Sequence, residues 1–212
     1  KRLQVETIDF HLIHDLNAKN WAKVRDLEVI DWAEKRIKNG QIGYLGFSFH
    51  DEYDVFKEIV DAYDWTFCQI QYNYLDENYQ AGVRGLKYAA SKGLAVVIME
   101  PIAGGRLAVR PPDDIQALWG TSNMKRSPAE WALQWVWNQP EVSLLLSGMS
   151  SMQQIVENLE SADRSGPGTV TNEDLMIIRK VSEKYRTLNP IGCSSCKYCM
   201  PCPNGVAIPE IF

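Results

Sequence analysis

The chain has 212 residues, 45% of them hydrophobic, and a net charge of 22 − 27 = −5. The acidic balance excludes a general nucleic-acid binder, which needs surplus Lys and Arg against phosphates. No run of 18 or more apolar residues occurs, so no membrane-spanning helix is expected. The opening KRLQVETIDF is charged and then amphipathic, unlike a secretory signal, so a cytoplasmic location is expected. It also lacks Met, which fits a fragment or a processed chain.

The first strand-like apolar run is 8–14, followed by a helical pattern over about 22–38 that Asn39-Gly40 closes. Strand 44–48 leads to a helix at 52–62, strand 67–72 to a helix at 79–91, and strand 94–99 to a long connection at 103–126. Such a length is expected of a functional or disordered loop. Ser127-Pro128 opens a helix over 127–138, with Glu130 placed for a capping box. Strand 142–147 precedes a helix at 151–162, and a last helix spans about 171–187. Short strands alternating with helices of ten or more residues predict βα units on a parallel sheet. Cys68 sits in an apolar run and reads as a small buried hydrophobe.

The other four cysteines crowd into CSSCKYCMPCP, at Cys193, Cys196, Cys199 and Cys202, with Pro203 behind them. Disulfides are disfavoured, because nothing marks the chain as secreted. A zinc ribbon draws its ligands from two separated Cys-x2-Cys knuckles, whereas these four lie on one short arc. The bacterial ferredoxin run C-x2-C-x2-C-x3-C-P agrees through three cysteines and the proline, and differs in the last spacing. A [4Fe–4S] cluster is therefore placed ahead of zinc. Cys202 either completes that cluster or serves a second one.

Six segments, in order, resemble the aldo-keto reductases. They are Asp9–His14 (DFHLIH), GYLGFSFH at 43–50, QIQYN at 69–73, MEPIAGGRLA at 99–108, SPAEWALQWVWNQPEVS at 127–143 and GMSSMQQIVENL at 148–159. Members of that family with a cluster-bearing tail are similar to residues 191–209 as well. The resemblance implies a (β/α)8 TIM barrel that transfers hydride between NADP or NAD and the carbonyl of a small molecule. It also implies that about three βα units precede residue 8, together with the family's catalytic Asp, Tyr and Lys. The chain then reads as an incomplete barrel over 1–165, inactive alone, with a C-terminal helix and cysteine segment over 166–212. Its open barrel edges would be covered by the preceding part or by self-association.

Carried over by resemblance, His14 orients the substrate carbonyl, and Ser48 and Gln69 hold the nicotinamide amide. Met99 stands where the family stacks an aromatic ring on nicotinamide. Gly104, Gly105 and Leu107 bring backbone N–H groups to the pyrophosphate, and Glu157 and Asn158 reach the adenine. Without the resemblance, each is also readable as a strand end, a cap, a turn or a solvated helix face. Glu100 replaces the family's serine, Phe49 its frequent Asn, and Gly148 and Gln154 its basic residues at the NADP 2′-phosphate, which leaves NAD open. A one-electron cluster beside two-electron hydride chemistry implies either a redox partner or a structural staple. The alternative of another class is a non-enzymatic iron–sulfur electron-transfer or scaffold module on a barrel remnant.

Overall fold

The computed structural model of the chain describes residues 3–188 and 199–211. Its elements are β1 (Ile8–Leu16), α1 (Ala18–Asp26), α2 (Val29–Lys38), β2 (Ile42–Phe49), α3 (Tyr53–Ala62), β3 (Phe67–Gln71), α4 (Gly82–Ser91), β4 (Ala95–Met99), α5 (Asp113–Trp119), α6 (Pro128–Trp137), β5 (Val142–Leu145), α7 (Met152–Asp163), α8 (Asn172–Leu188) and α9 (Ile208–Ile211). They gather into two compact units. The first takes the chain up to Tyr72, with Glu77–Met99 and Glu141–Leu146; the second takes Asn73–Asp76, Glu100–Pro140 and the chain from Ser147 onward.

The first unit is built on one five-stranded parallel sheet in the order β1-β2-β3-β4-β5. Among the described residues β1 and β5 pair on one side only. Side chains alternate across a strand, and the two faces differ. Leu45, Phe47, Phe49, Cys68, Ile70, Val96 and Ile98 share one face and are at most 2% exposed. Helices α3 and α4 add Phe56, Ile59, Val60, Leu86 and Ala89 to this core. The Phe56 ring lies 5.8 Å from that of Phe47 and 5.0 Å from that of Phe49, and Trp65 lies 4.9 Å from Phe47. On the opposite face Phe10, Tyr44 and Leu144 are 64, 51 and 53% exposed. There Phe10 stacks on Tyr44 at 5.0 Å and meets Phe67 edge-on at 5.7 Å. Gly46 makes room for this cluster, because a Cβ there would lie 2.6 Å from the Phe67 ring and from its carbonyl oxygen.

In the second unit α5 packs on α8, and Lys184 pairs with Asp114 at 2.7 Å between them. Trp119 stacks on Trp131 at 4.7 Å, and the Arg126 guanidinium sits 4.5 Å over the Trp131 ring. Arg126 Nη1 also pairs with Asp174 Oδ2 at 3.2 Å, and Ser122 Oγ donates to Asp174 Oδ1 at 2.7 Å. Both charged side chains are buried, so each depends on the other to offset its desolvation. Ser127 Oγ caps α6 by accepting from the Glu130 N–H, while the Glu130 carboxylate engages Arg164 at 3.1 Å in place of the expected capping box.

Three expectations about the elements change. The expected helix at 22–38 is two helices, α1 starting on the Asn17 cap and α2 starting after Glu28, whose φ is +52°. Periodicity alone does not register a left-handed residue between two consecutive helices. The connection 103–126 contains α5, which buries Ile115 and Trp119 one turn apart after Pro112 has set the helix start. Strand β1 runs on to Leu16 through a register shift between Ile13 and Leu16.

Candidate active site

The C-terminal ends of parallel strands are where α/β folds gather reactive groups. At that end of the first unit, Ile13 pairs with Phe47 and Leu16 with Phe49, so His14 and Asp15 together oppose the single residue Ser48. This is a β-bulge. Asp15 takes a φ of +56°, and its N–H donates to Ser48 Oγ at 2.8 Å in place of a strand-to-strand bond. Asn20 Nδ2 donates to the Asp15 carbonyl at 2.8 Å, which fixes the turn from the other side. Ser48 is buried, and His14 is exposed in the bulge.

Ser48 registers with Gln69, and Gln69 with Val97. Gln71 registers with Met99, and Gln69 Nε2 donates to Met99 Sδ at 3.4 Å. His14, Ser48, Gln69 and Met99 thus lie on four adjacent strands, Ser48 one residue from the end of β2 and Met99 at the end of β4. Sequence reasoning passed over two residues here. Asp15 supplies the bulge hydrogen bond. Gln71 is 4% exposed, and its Nε2 has neither solvent nor a partner among the described residues. The signal for Gln71 was available in the Gln-x-Gln spacing, which puts both amides on one face.

The residues that the resemblance assigns to the pyrophosphate and adenine belong to the second unit. Glu100, Ala103, Gly104 and Gly105 have φ of +56, +48, +65 and +96°. The N–H groups of Gly105 and Leu107 both donate to the Ile102 carbonyl at 3.1 Å, so the loop itself uses these two amides. Glu157 accepts from Gln153 Nε2 at 2.7 Å, and Asn158 Nδ2 donates to Ser147 Oγ at 3.1 Å. Gln154 accepts from the N–H of Ser150 at 2.9 Å and closes a capping box with Ser151 at the start of α7.

Of the four clustered cysteines, Cys193 and Cys196 lie outside the described residues. Cys199 is exposed and Cys202 partly buried, both as free thiols. Among the described residues no group of three or more His, Cys, Asp or Glu is placed to hold a metal. Cys68 is fully buried, and burial pushes its thiol pKa well up. No helix among the described residues is long and apolar enough to cross a membrane.

Comparison with known proteins agrees with this architecture. The family model for the aldo/keto reductase family matches residues 1–182, and the chain belongs to that family. An uncharacterized oxidoreductase of Schizosaccharomyces pombe is 28% identical over 162 residues, which are 76% of this chain and 49% of that protein. The chain thus spans about half the length of this curated relative. A solved aldo-keto reductase of Bacillus halodurans, in its holo form, superposes with a TM-score of 0.69 at 25% identity, over 85% of this chain and 60% of that one. An aldo/keto reductase of Klebsiella pneumoniae, in complex with NADP and acetate, gives a TM-score of 0.65 at 20% identity over 85% and 61% of the two chains, a likeness of fold.

Proposed function

We propose that the protein carrying this chain reduces the carbonyl of a small molecule with a nicotinamide cofactor, and that this chain supplies five βα units of its barrel. The observation that carries the reading is the row Ser48–Gln69 flanked by Met99 and the His14 bulge. A nicotinamide carboxamide offers one acceptor and two donors. Gln69, Ser48 and the unpartnered Gln71 Nε2 fit it as complementary groups. When bound, the nicotinamide supplies hydride. His14 orients the carbonyl and Met99 offers a polarizable surface to the ring. By the family resemblance the loop of Gly104, Gly105 and Leu107 serves the phosphates, for which Gly105 and Leu107 would have to release the Ile102 carbonyl, and Glu157 and Asn158 serve the adenine. Gln154 is committed to capping α7 and Gly148 has no side chain, so neither offers charge to a 2′-phosphate. That favours NAD over NADP.

Titrating the protein with NADH and NADPH, followed by steady-state kinetics of a His14→Ala variant, tests this. NADH should bind, and the substitution should lower kcat/KM by roughly 10²-fold or more without moving the thermal midpoint. Unchanged turnover would sink the role of His14.

We propose in addition that Cys193, Cys196, Cys199 and Cys202 hold a [4Fe–4S] cluster in a reducing compartment. The spacing, the trailing Pro203 and the accessibility of Cys199 support it. Protein prepared anaerobically should carry about four irons per chain. Stoichiometric zinc without iron would overturn it, and iron without nicotinamide binding would favour the electron-transfer module.

A further inference from the structure

The glycine loop stands on a root that is bonded twice. The Glu100 carbonyl accepts from the Ala103 N–H at 3.0 Å and from Asn73 Nδ2 at 3.1 Å. The positive φ angles at Glu100, Ala103, Gly104 and Gly105 make a backbone that persists only where its surroundings over-determine it. Beyond the root there is room, since a Cβ on Gly105 would meet no atom within 4 Å. Asn73 is fully buried, and its Oδ1 accepts from the N–H groups of Leu75 at 3.0 Å and Asp76 at 3.1 Å. It therefore ties the turn at 73–76 to the loop.

The same turn is held from α8. The buried Ser182 Oγ donates to the Tyr74 carbonyl at 2.8 Å, and Arg186 Nη2 donates to the Leu75 carbonyl at 3.0 Å. The two donors are one helical turn apart and reach consecutive carbonyls 108 and 111 positions away in the chain. Tyr74 is itself 1% exposed, its ring edge-on to those of Trp119 and Trp135 at 6.3 Å each. Burial raises the pKa of Tyr74 and of Tyr185 on α8, and the charge of Arg106 in the glycine loop opposes the rise at both. Loop, turn and helix all belong to the second unit.

We infer that Ser182 and Arg186 are positioning residues for the cofactor pyrophosphate: through the 73–76 turn and Asn73 they set the backbone root from which the glycine loop opens. The inference deepens the nicotinamide-cofactor reading above and rests on it. Gly105 and Leu107 donate to the Ile102 carbonyl in this structure, so a pyrophosphate has to draw them away. A root that stays in place while they turn confines the ordering cost of binding to the tip of the loop.

The test is calorimetric titration of the full-length protein with NADH and with ADP-ribose, which keeps both phosphates and lacks nicotinamide. Ser182→Ala and Arg186→Ala should each raise both Kd values by the same factor, roughly 3–30-fold. Arg186→Lys keeps a donor and should recover most of the loss. Lys184→Ala breaks another polar contact of the same helix, the pair with Asp114, and should leave both Kd values unchanged. Adding Asn73→Ala to Ser182→Ala should cost little beyond the worse single variant, because both act through one turn. If Arg186→Ala does not fold, Ser182→Ala carries the comparison. A lower thermal midpoint with both Kd values unchanged would overturn the inference alone, as would a loss confined to NADH or an equal loss in Lys184→Ala. Wild type that binds none of NADH, NADPH and ADP-ribose would overturn the cofactor reading and this inference with it.

Discussion

The two faces of the sheet are made by the same strands and follow different rules. On the helix-covered face, seven strand residues from Leu45 to Ile98 are all but sealed. Any residue there is judged by volume, because close packing leaves no room for mismatch. On the other face, rings gather toward the strand starts (Phe10, Tyr44, Phe67) and polar groups toward the strand ends (Ser48, Gln69, Gln71). A residue there is judged by what it can bond. One strand, β2, therefore carries close packing in Leu45, Phe47 and Phe49 on one face and, in Ser48 on the other, a buried hydroxyl that bonds across to β1 and belongs to the proposed site.

The largest effect that would break this contrast concerns β2 itself. Phe47→Ala should lower the unfolding free energy by about 3–5 kcal/mol. Tyr44→Ala, three residues away on the open face, should change it by less than about 1 kcal/mol. Urea denaturation gives both values, and similar losses would mean that the faces are not distinct. Ser48→Ala sharpens the comparison, since it leaves the Asp15 N–H without its acceptor. It should cost about 1–3 kcal/mol and also weaken NADH binding, a pairing of effects that Phe47→Val should not show. The smallest effect is on alkaline stability. Burial raises the pKa of Cys68 on the covered face, and those of Tyr72 and Tyr74. A group with a raised folded pKa contributes stability that is complete below its unfolded pKa and lost as pH rises toward the folded one. Stability should therefore decline above about pH 8.5 for the thiol and about pH 10 for the phenols. The thiol accounts for about 1 kcal/mol of this by pH 9.5. Thermal midpoints at pH 8 and 9.5 should differ less in Cys68→Ala than in wild type.

All five strands were legible as apolar runs, because a strand sealed on one face declares itself by residue type. What was not legible depends on contacts between distant residues. The extension of β1 to Leu16 hides behind polar His14 and Asp15, whose pairing depends on Ser48, 33 positions away. Helix α5 hides among Gly, Pro and Asp, although its Ile115 and Trp119 are one turn apart. Motif position picked out Ser48, Gln69 and Met99, which the sheet carries on three neighbouring strands. It said nothing of Gln71, and it marked Glu100 only as a departure from the family's serine, whereas each has a buried side-chain atom without a partner among the described residues. Gln154 was readable as a lost phosphate grip, but its role as a cap needed the geometry of α7. The cysteine segment remains a statement about spacing, since Cys193 and Cys196 lie outside the described residues.

The bulge in β1 also separates two kinds of heredity within one strand. Ile13 sits opposite Phe47 and Leu16 opposite Phe49 with one residue to spare between them. Removing that spare residue would leave both flanking pairs in register and the sealed face intact, and would alter only what stands against Ser48. The surplus residue holds the bulge, with its N–H on Ser48 Oγ and its carbonyl on Asn20 Nδ2. A single-codon deletion at position 15 therefore keeps the strand pairing in phase while removing the bulge and its hydrogen bonds, so the sheet and its strand ends respond separately to the smallest possible change in length.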